Sequence, residues 1–209
     1  SITKVGDQVQ IAYTNPAYMA AAYHVKGNVD AVTDSLKKAL GAIKEYGPEK
    51  GLSSEDLDGY HYTFGMEYFD EPYDLAEYDS YKQAVAAVEK GLAAHAGGTT
   101  KVYRIDIPGK KQTLFGVALS SEKTDNKYMD DSFIMSEIDF KDIRSTAHLP
   151  YDILVTGSSV EALHARFRIA INFPDLSMMG DNSFMNIMPS PDAIKSALTK
   201  AAGGKEEEF

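Results

Sequence analysis

The chain of 209 residues contains no cysteine. This absence excludes disulfide bonds, thiolate nucleophiles, iron–sulfur ligation and cysteine-based zinc sites. A thiol-free chain suits an oxidising compartment, so we expect a periplasmic or secreted protein, with a cytoplasmic one as the alternative. No apolar run approaches the roughly 20 residues that a membrane-spanning helix needs, and we therefore expect no membrane insertion.

Positive charge is scarce, because 21 Lys and Arg stand against 31 Asp and Glu, for a formal net charge of −10. No basic run is longer than Lys110-Lys111. Nucleic-acid binding needs clustered cations against the phosphates, so it is not expected here. The apolar content of 44% and the charged content of 25% are typical of globular domains. We expect one domain over 1–204, followed by a disordered acidic tail over 205–209.

Motifs of enzyme active sites are also missing from the sequence. It has no H-E-x-x-H, no P-loop, no G-x-S-x-G and no G-x-G-x-x-G. The five histidines are His24, His61, His95, His148 and His164. They leave few candidates for a general base, so the sequence favours a non-catalytic ligand- or protein-binding module and names no cofactor. An enzyme that acts on a small anionic substrate is one alternative.

Local signals predict four helices. Asn15-Pro16 supplies an N-cap and a first-turn proline, Ser80 begins a capping-box pattern, and Ser190-Pro191 opens a last helix. The remaining helix follows Asn28 and repeats apolar residues at three- and four-residue steps. Its apolar stripe consists of Val29, Val32, Leu36, Leu40 and Ile43. We expect this stripe to face the core.

Alternating apolar residues predict strands over 9–13 and 133–140, and two hairpins. The first hairpin joins 100–107 to 112–119. The second joins 152–156 to 160–173 through Gly157-Ser158-Ser159. Because strands and helices are interspersed without regular alternation, we expect an α+β fold. It should consist of an antiparallel sheet with helices packed on one face, in a single decorated domain.

A cationic strip is predicted on the second strand of the last hairpin. A two-residue period places apolar side chains on one face and leaves His164, Arg166 and Arg168 on the other. Arginine offers forked donors to a carboxylate or oxyanion, so the strip is a candidate anion site. Arg144 and His148 precede the hairpin and are predicted to join it. The alternative is a solvated face whose arginines pair with acids.

A cluster of methionines over 178–188 suggests a second alternative function. Thioethers beside an imidazole select cuprous ion, so the chain could carry copper or haem. The candidate ligands are His148, His164, Met178 and Met179, with Met185 and Met188 nearby. Methionine is also a flexible filler of irregular cores, which is the competing interpretation.

The segment 51–81 contains no Lys or Arg, and nine acids lie between Glu55 and Asp79. Six tyrosines are interleaved with them or follow directly: Tyr60, Tyr62, Tyr68, Tyr73, Tyr78 and Tyr81. An acidic, tyrosine-rich surface can steer and dock a basic protein, so 55–79 is a candidate docking segment. A solvated loop with inward tyrosines is the alternative.

Two short patterns carry a family resemblance. A helix of the form V-x-x-x-x-x-x-L-K-x-A-L fits 29–40, and a Leu-Pro entry into a hairpin that ends at a proline fits 149–174. With these motifs the chain resembles the domain-of-unknown-function 302 family over 28–176. The pattern Y-x-x-P-x-Y that closes the family's domains occurs instead at 13–18. The resemblance implies a small α+β binding module, often exported and homodimeric, with no catalytic residues to assign.

Overall fold

The computed structural model describes residues 1–46, 51–59, 67–173 and 175–205. Over these residues the strands are β1 (Ile2–Val5), β2 (Gln8–Ile11), β3 (Pro72–Glu77), β4 (Thr99–Asp106), β5 (Gln112–Leu119), β6 (Tyr151–Thr156) and β7 (Ser159–Leu163). The helices are α1 (Pro16–Ala22), α2 (Asp30–Leu40), α3 (Ser54–Asp58), α4 (Tyr81–Ala93), α5 (Asp131–Ile138), α6 (Ala165–Asn172) and α7 (Ser190–Ala202). The predicted α+β class is confirmed.

The main sheet has five antiparallel strands in the order β3-β7-β6-β5-β4, and β1 pairs with β2 in a separate hairpin. In β6 the buried residues Tyr151 and Ile153 alternate with half-buried ones, so one face of the sheet carries the core. Val88 of α4 and Ile194 of α7 belong to the same buried cluster. These two helices therefore cover one face, as predicted.

Several local predictions are confirmed. The Asn15 side chain accepts a hydrogen bond from the Ala17 amide at 2.9 Å and caps α1. Ser80 caps α4 through the Gln83 amide. Both hairpins form, since β4 pairs with β5 and β6 pairs with β7. Strand β1 was not predicted.

The strand predicted over 133–140 is wrong, because this segment is helix α5. The Asp130 carboxylate accepts from the Phe133 amide at 2.8 Å, which caps the helix at its N-terminus. Ile134 and Ile138, four residues apart, are the buried positions of its single core face. The acidic cap before an apolar run was the signal for a helix rather than a strand.

The long second strand predicted over 160–173 is also wrong beyond Leu163, because α6 begins there. Ala165 and Ile169 lie in the main core, while Phe167 belongs to a second cluster on the other side of the helix. A helix buried on two sides carries apolar residues at every second position, which imitates the period of a strand. His164, Arg166 and Arg168 therefore do not share a strand face.

Helix α2 forms, but its predicted place in the core is wrong. None of its residues is buried, and Leu36 is only half-buried. The helix ends at Leu40, because Gly41 adopts φ 76°. The predicted end at Gly47-Pro48 lies outside the described residues.

The second cluster attaches the N-terminal segment to the sheet domain. Ala22 of α1, Leu57 of α3 and Phe69 pack against Phe167 of α6, with ring centroids of the two phenylalanines 4.6 Å apart. This cluster brings α1 close to α6, and a pocket lies between the two helices and the sheet.

Candidate functional site

The candidate site is built on Asp152, the second residue of β6. Its neighbours Tyr151 and Ile153 point into the helix-covered core, so Asp152 points to the opposite face of the sheet. Tyr103 of β4 donates a hydrogen bond to Asp152 Oδ1 at 2.8 Å. The tyrosine reaches over Gly116 of β5, where an added Cβ would lie 2.4 Å from the Tyr103 ring. Glycine at 116 therefore makes the Tyr103–Asp152 contact possible.

Arg168 reaches the same carboxylate from α6. Its Nη1 donates to Asp152 Oδ2 at 2.7 Å, and its Nη2 donates to the carbonyls of His148 at 2.7 Å and Pro150 at 2.8 Å. The side chain is only 12% exposed and that of Asp152 is 21% exposed. The buried Nε has no hydrogen-bond partner among the described residues.

Tyr23, at the end of α1, closes the site from the other side. Its buried hydroxyl likewise has no hydrogen-bond partner in the part of the chain that the structure describes. Burial raises the pKa of Tyr23 to about 12, against a smaller lowering by Arg168, so the phenol is neutral.

These side chains line a pocket of about 230 Å³. Thr14 just before α1, Met19 within α1 and Asn172 at the end of α6 complete the lining together with an apolar wall, which includes Leu149 and Ile171. Within the lining, the charge of Arg168 is balanced by that of Asp152. The pocket therefore offers directed hydrogen-bonding groups without a net charge.

A buried polar group lies directly behind this pocket. His148 is fully buried, and its Nε2 lies 2.9 Å from the Tyr151 hydroxyl. Burial, followed by the charge of Arg168, lowers the pKa of His148 to about 3. Burial also raises the pKa of Asp131 to about 7, against a smaller lowering by the hydrogen bond that its carboxylate accepts from the Leu119 amide. Strongly shifted groups beside a cleft are typical of functional sites, although buried structural networks show them too.

The other residues of the predicted anion site lie at different places. His164 and Arg166 both approach Glu67, with His164 Nε2 3.6 Å from Oε1 and Arg166 Nη1 3.4 Å from Oε2. The His164 ring lies against Tyr73, with centroids 3.7 Å apart and ring planes tilted by 43°. Burial is the main cause of the lowered pKa of His164.

Arg144 has its backbone amide bound to the Gln10 side chain. The five residues of the predicted anion site are thus divided among three locations: His164 and Arg166 beside Glu67, Arg168 and His148 at the pocket, and Arg144 beside Gln10. Anion binding by any of them stays a prediction.

No group of three or more His, Asp or Glu with metal-binding geometry occurs in the ranges that the structure describes. Met178 and Met179 are exposed, so they do not fill the core as the competing interpretation expected. The carrier function therefore stays a prediction without further support.

The acidic segment 55–79 is described except for 60–66. Tyr73 is buried in β3, while Asp74 and Glu77 on the same edge strand are exposed. Tyr60 and Tyr62 lie outside the described residues.

Sequence reasoning did not identify Tyr23 or Tyr103 as site residues. The one available signal was Gly116 inside a strand, since an interior strand glycine often marks a close approach of another group.

Comparison of the chain with protein-family models, curated proteins and solved structures finds no match. The resemblance to the domain-of-unknown-function 302 family therefore stays a prediction. Among the described residues, no helix has the length and apolar character needed to cross a bilayer.

Proposed function

We propose that the protein is a non-catalytic binding module that holds a small polar ligand in the pocket between α1, α6 and the sheet. One observation carries the proposal. The pocket is lined by two residues, Tyr23 and Arg168, that each keep a buried polar atom without a partner among the described residues. Buried polar atoms are nearly always satisfied in folded proteins, so such atoms beside a cavity point to a bound group or an ordered water.

The pocket also limits the ligand. A volume of about 230 Å³ corresponds to roughly eight water volumes of about 30 Å³ each, below the range of about 300 to 1,000 Å³ of drug-sized sites. Because the charges of Asp152 and Arg168 cancel, the pocket lining carries no net charge. We therefore expect a compact polar ligand without net charge rather than a polyanion. It should offer hydrogen-bonding groups to the polar side chains of the lining, among them Tyr23 and Arg168.

The test is a thermal-shift screen of the parent chain against acetamide, glycerol, glycine, formate, phosphate, sulfate and thiosulfate. A ligand present at 100 times its Kd stabilises the folded state by about 2.7 kcal/mol. For a domain of this size that shift is roughly 5 to 10 °C. We expect shifts from the neutral and zwitterionic compounds and none from the divalent anions.

Tyr23→Phe is the diagnostic variant, because it removes one unpaired hydroxyl and leaves the ring. It should keep the melting temperature of the unliganded chain and lose most of the ligand-induced shift. Tyr128→Phe is the matched control, since Tyr128 does not line the pocket. A ligand shift that is equal in parent and Tyr23→Phe chains would place binding elsewhere and end this proposal.

A second candidate function, docking of a basic protein segment, is favoured by the edge of the sheet. Asp74 of β3 lies directly opposite Glu161 of β7, and like charges in this position destabilise a strand pair. Burial, followed by Asp74 and Glu77, raises the pKa of Glu161. A cationic strand added beside β3 would relieve this repulsion, since β3 is an edge strand of the sheet.

The docking function is tested with a fluorescent peptide of alternating Lys and Thr, measured by anisotropy. The parent should bind it, and binding should weaken steeply as salt rises because exposed charges are screened. The pair of changes Asp74→Asn and Glu161→Gln should weaken binding more than the matched pair Glu122→Gln and Asp125→Asn. Equal effects of the two pairs would show attraction to the net charge alone.

Export of the protein from the cytoplasm stays a prediction from its composition.

A further inference from the structure

A second pocket, of about 140 Å³, lies between the C-terminal end of α5 and the residues that follow α6. None of its lining residues belongs to the pocket around Asp152. Its apolar wall includes Phe140, Ile143 and Leu176. The volume equals roughly five water volumes of about 30 Å³ each, so it suits a group of a few non-hydrogen atoms.

Asp139 is the buried polar residue of this lining, with only 8% of its surface exposed. Its Oδ1 accepts a hydrogen bond from the Ser145 amide at 2.8 Å, and its Oδ2 has no hydrogen-bond partner among the described residues. Burial raises the pKa of Asp139, against smaller lowerings by this hydrogen bond and by the charge of Arg144. A carboxylate with so little contact to water is stable as an anion only where donors or cations satisfy it, so Oδ2 points to a donor in the pocket, either a water or a bound group.

The position of Asp139 at the end of a helix favours a cation over a water. Asp139 is the C-cap residue of α5, where the carbonyl groups of the last turn concentrate partial negative charge. Basic residues stabilise such an end, but the last turn of α5, all of which the structure describes, contains none. The Asp139 carboxylate adds to the negative charge, and a bound cation would stabilise both.

The rim of the pocket adds further negative charge. Asp175 and Asp181 line it as well, and Lys141, the lysine of the lining, is paired with Asp175. Among the described lining residues, three acids and one lysine give a formal charge of −2. These acids do not form a metal centre, because the described part of the chain contains no group of three acidic or histidine side chains that could hold a metal ion. Together with the apolar wall, this favours an organic cation as the ligand.

We propose that this pocket binds a primary amine, whose ammonium group donates to Asp139 Oδ2 and whose short aliphatic chain lies against Phe140 and Ile143. A primary ammonium carries three donors, so it can satisfy Oδ2 and a carbonyl at the end of α5 together, whereas a quaternary ammonium has no donor. Four carbons and one nitrogen fill the pocket at roughly one water volume per atom, which is the size of a lysine side chain. The site is separate from the pocket of the proposed function and does not depend on that function.

Titration of the full chain with n-butylamine at pH 7, followed through the backbone amide resonances, tests the proposal. Butylamine is protonated at this pH, as lysine is, and sodium chloride keeps the ionic strength constant. The Ser145 amide, which donates to Asp139, should shift with a Kd in the millimolar range, so the amine is raised to about 50 mM. 1-Butanol lacks the charge and tetramethylammonium lacks the donors, so each should bind at least about tenfold more weakly. N-acetyl-lysine amide carries the same ammonium group, and its Kd relative to that of butylamine distinguishes a lysine side chain from a free amine as the source.

Asp139→Asn keeps an oxygen for the Ser145 amide but removes the charge, so it should weaken butylamine binding at least about tenfold. Asp142→Asn is the matched control and should bind like the parent, because Asp142 is exposed in the same segment, does not line the pocket and changes the net charge equally. Tyr23→Phe should also leave amine binding unchanged, which separates this site from the pocket around Asp152. The proposal is overturned if the Ser145 amide does not shift, if 1-butanol binds as tightly as butylamine, or if the two aspartate variants lose affinity equally. The comparison of probes needs only the parent chain, so it decides the question even if Asp139→Asn does not fold.

Discussion

Replacing Arg168 with methionine should strongly destabilise the fold. The methionine keeps most of the apolar stem but removes every donor of the guanidinium. The side chain of Asp152 is only 21% exposed, and among the described residues it would then keep only the Tyr103 hydroxyl as a hydrogen-bond partner. The carbonyls of His148 and Pro150 would lose their donor as well.

The expected cost follows from these contacts. Removing one partner of a buried ion pair costs about 3 to 5 kcal/mol, and a buried carbonyl left without a donor adds about 1 kcal/mol or more. A total of at least about 4 kcal/mol is a large part of the roughly 5 to 15 kcal/mol by which domains are stable. Lys101→Met is the matched control, because its pair with Glu89 is solvent-accessible and should contribute about 1 kcal/mol or less.

Urea unfolding at pH 7 measures both variants. The double variant Arg168→Met with Asp152→Leu should recover part of the loss, since it leaves no unpaired buried charge. If the free energy of unfolding of Arg168→Met lies within about 1 kcal/mol of that of the parent, the Asp152–Arg168 pair is solvated in solution. The pocket would then lack the fixed Asp152–Arg168 pair on which the proposed function depends.

Three further predictions concern other parts of the structure. Leu36→Ala on α2 should cost less than about 1 kcal/mol in the monomer, whereas Leu92→Ala in the core of α4 should cost about 2 to 5 kcal/mol, and denaturant midpoints compare the two. Asp131→Asn should stabilise the chain above pH 7 and have little effect below pH 4 in urea unfolding. The folded-state pKa of about 7 exceeds the unfolded value of 3.8, so in the parent its contribution to stability is lost as pH rises through 7. Gly116→Ala should displace Tyr103, since the new Cβ would lie 2.4 Å from its ring, and should weaken ligand-induced thermal shifts; an unchanged shift would separate Tyr103 from the site.

The sequence alone determined the parts of the fold that depend on neighbouring residues. The caps at Asn15 and Ser80 and the turn at Gly157-Ser158 act within a few positions of the chain, so their residue types predict the elements they begin or join. The interspersed order of these elements then favoured an antiparallel α+β arrangement, which the structure has.

Tertiary structure decided what local patterns left ambiguous. The sequence of α6 was predicted to be a strand, because Ala165 and Ile169 are buried on one side of the helix and Phe167 on the other, which gives an apolar residue at every second position. The α2 stripe read as core, although periodicity reports only that a helix has an apolar face and not what covers it.

The pocket was out of reach of sequence reasoning for the same reason. Its polar groups come from the residues that flank α1 and from β4, β6 and α6, between Thr14 and Asn172 in the sequence, and they meet only because the sheet register and the second cluster bring them together. The sequence identified Arg168 as a candidate cation of a site. Its partner, Asp152, follows only from the position of that residue on the sheet. Local sequence determines which conformation a segment prefers. Which side chains share a cavity depends on long-range packing, in which burial of the whole chain outweighs local preference.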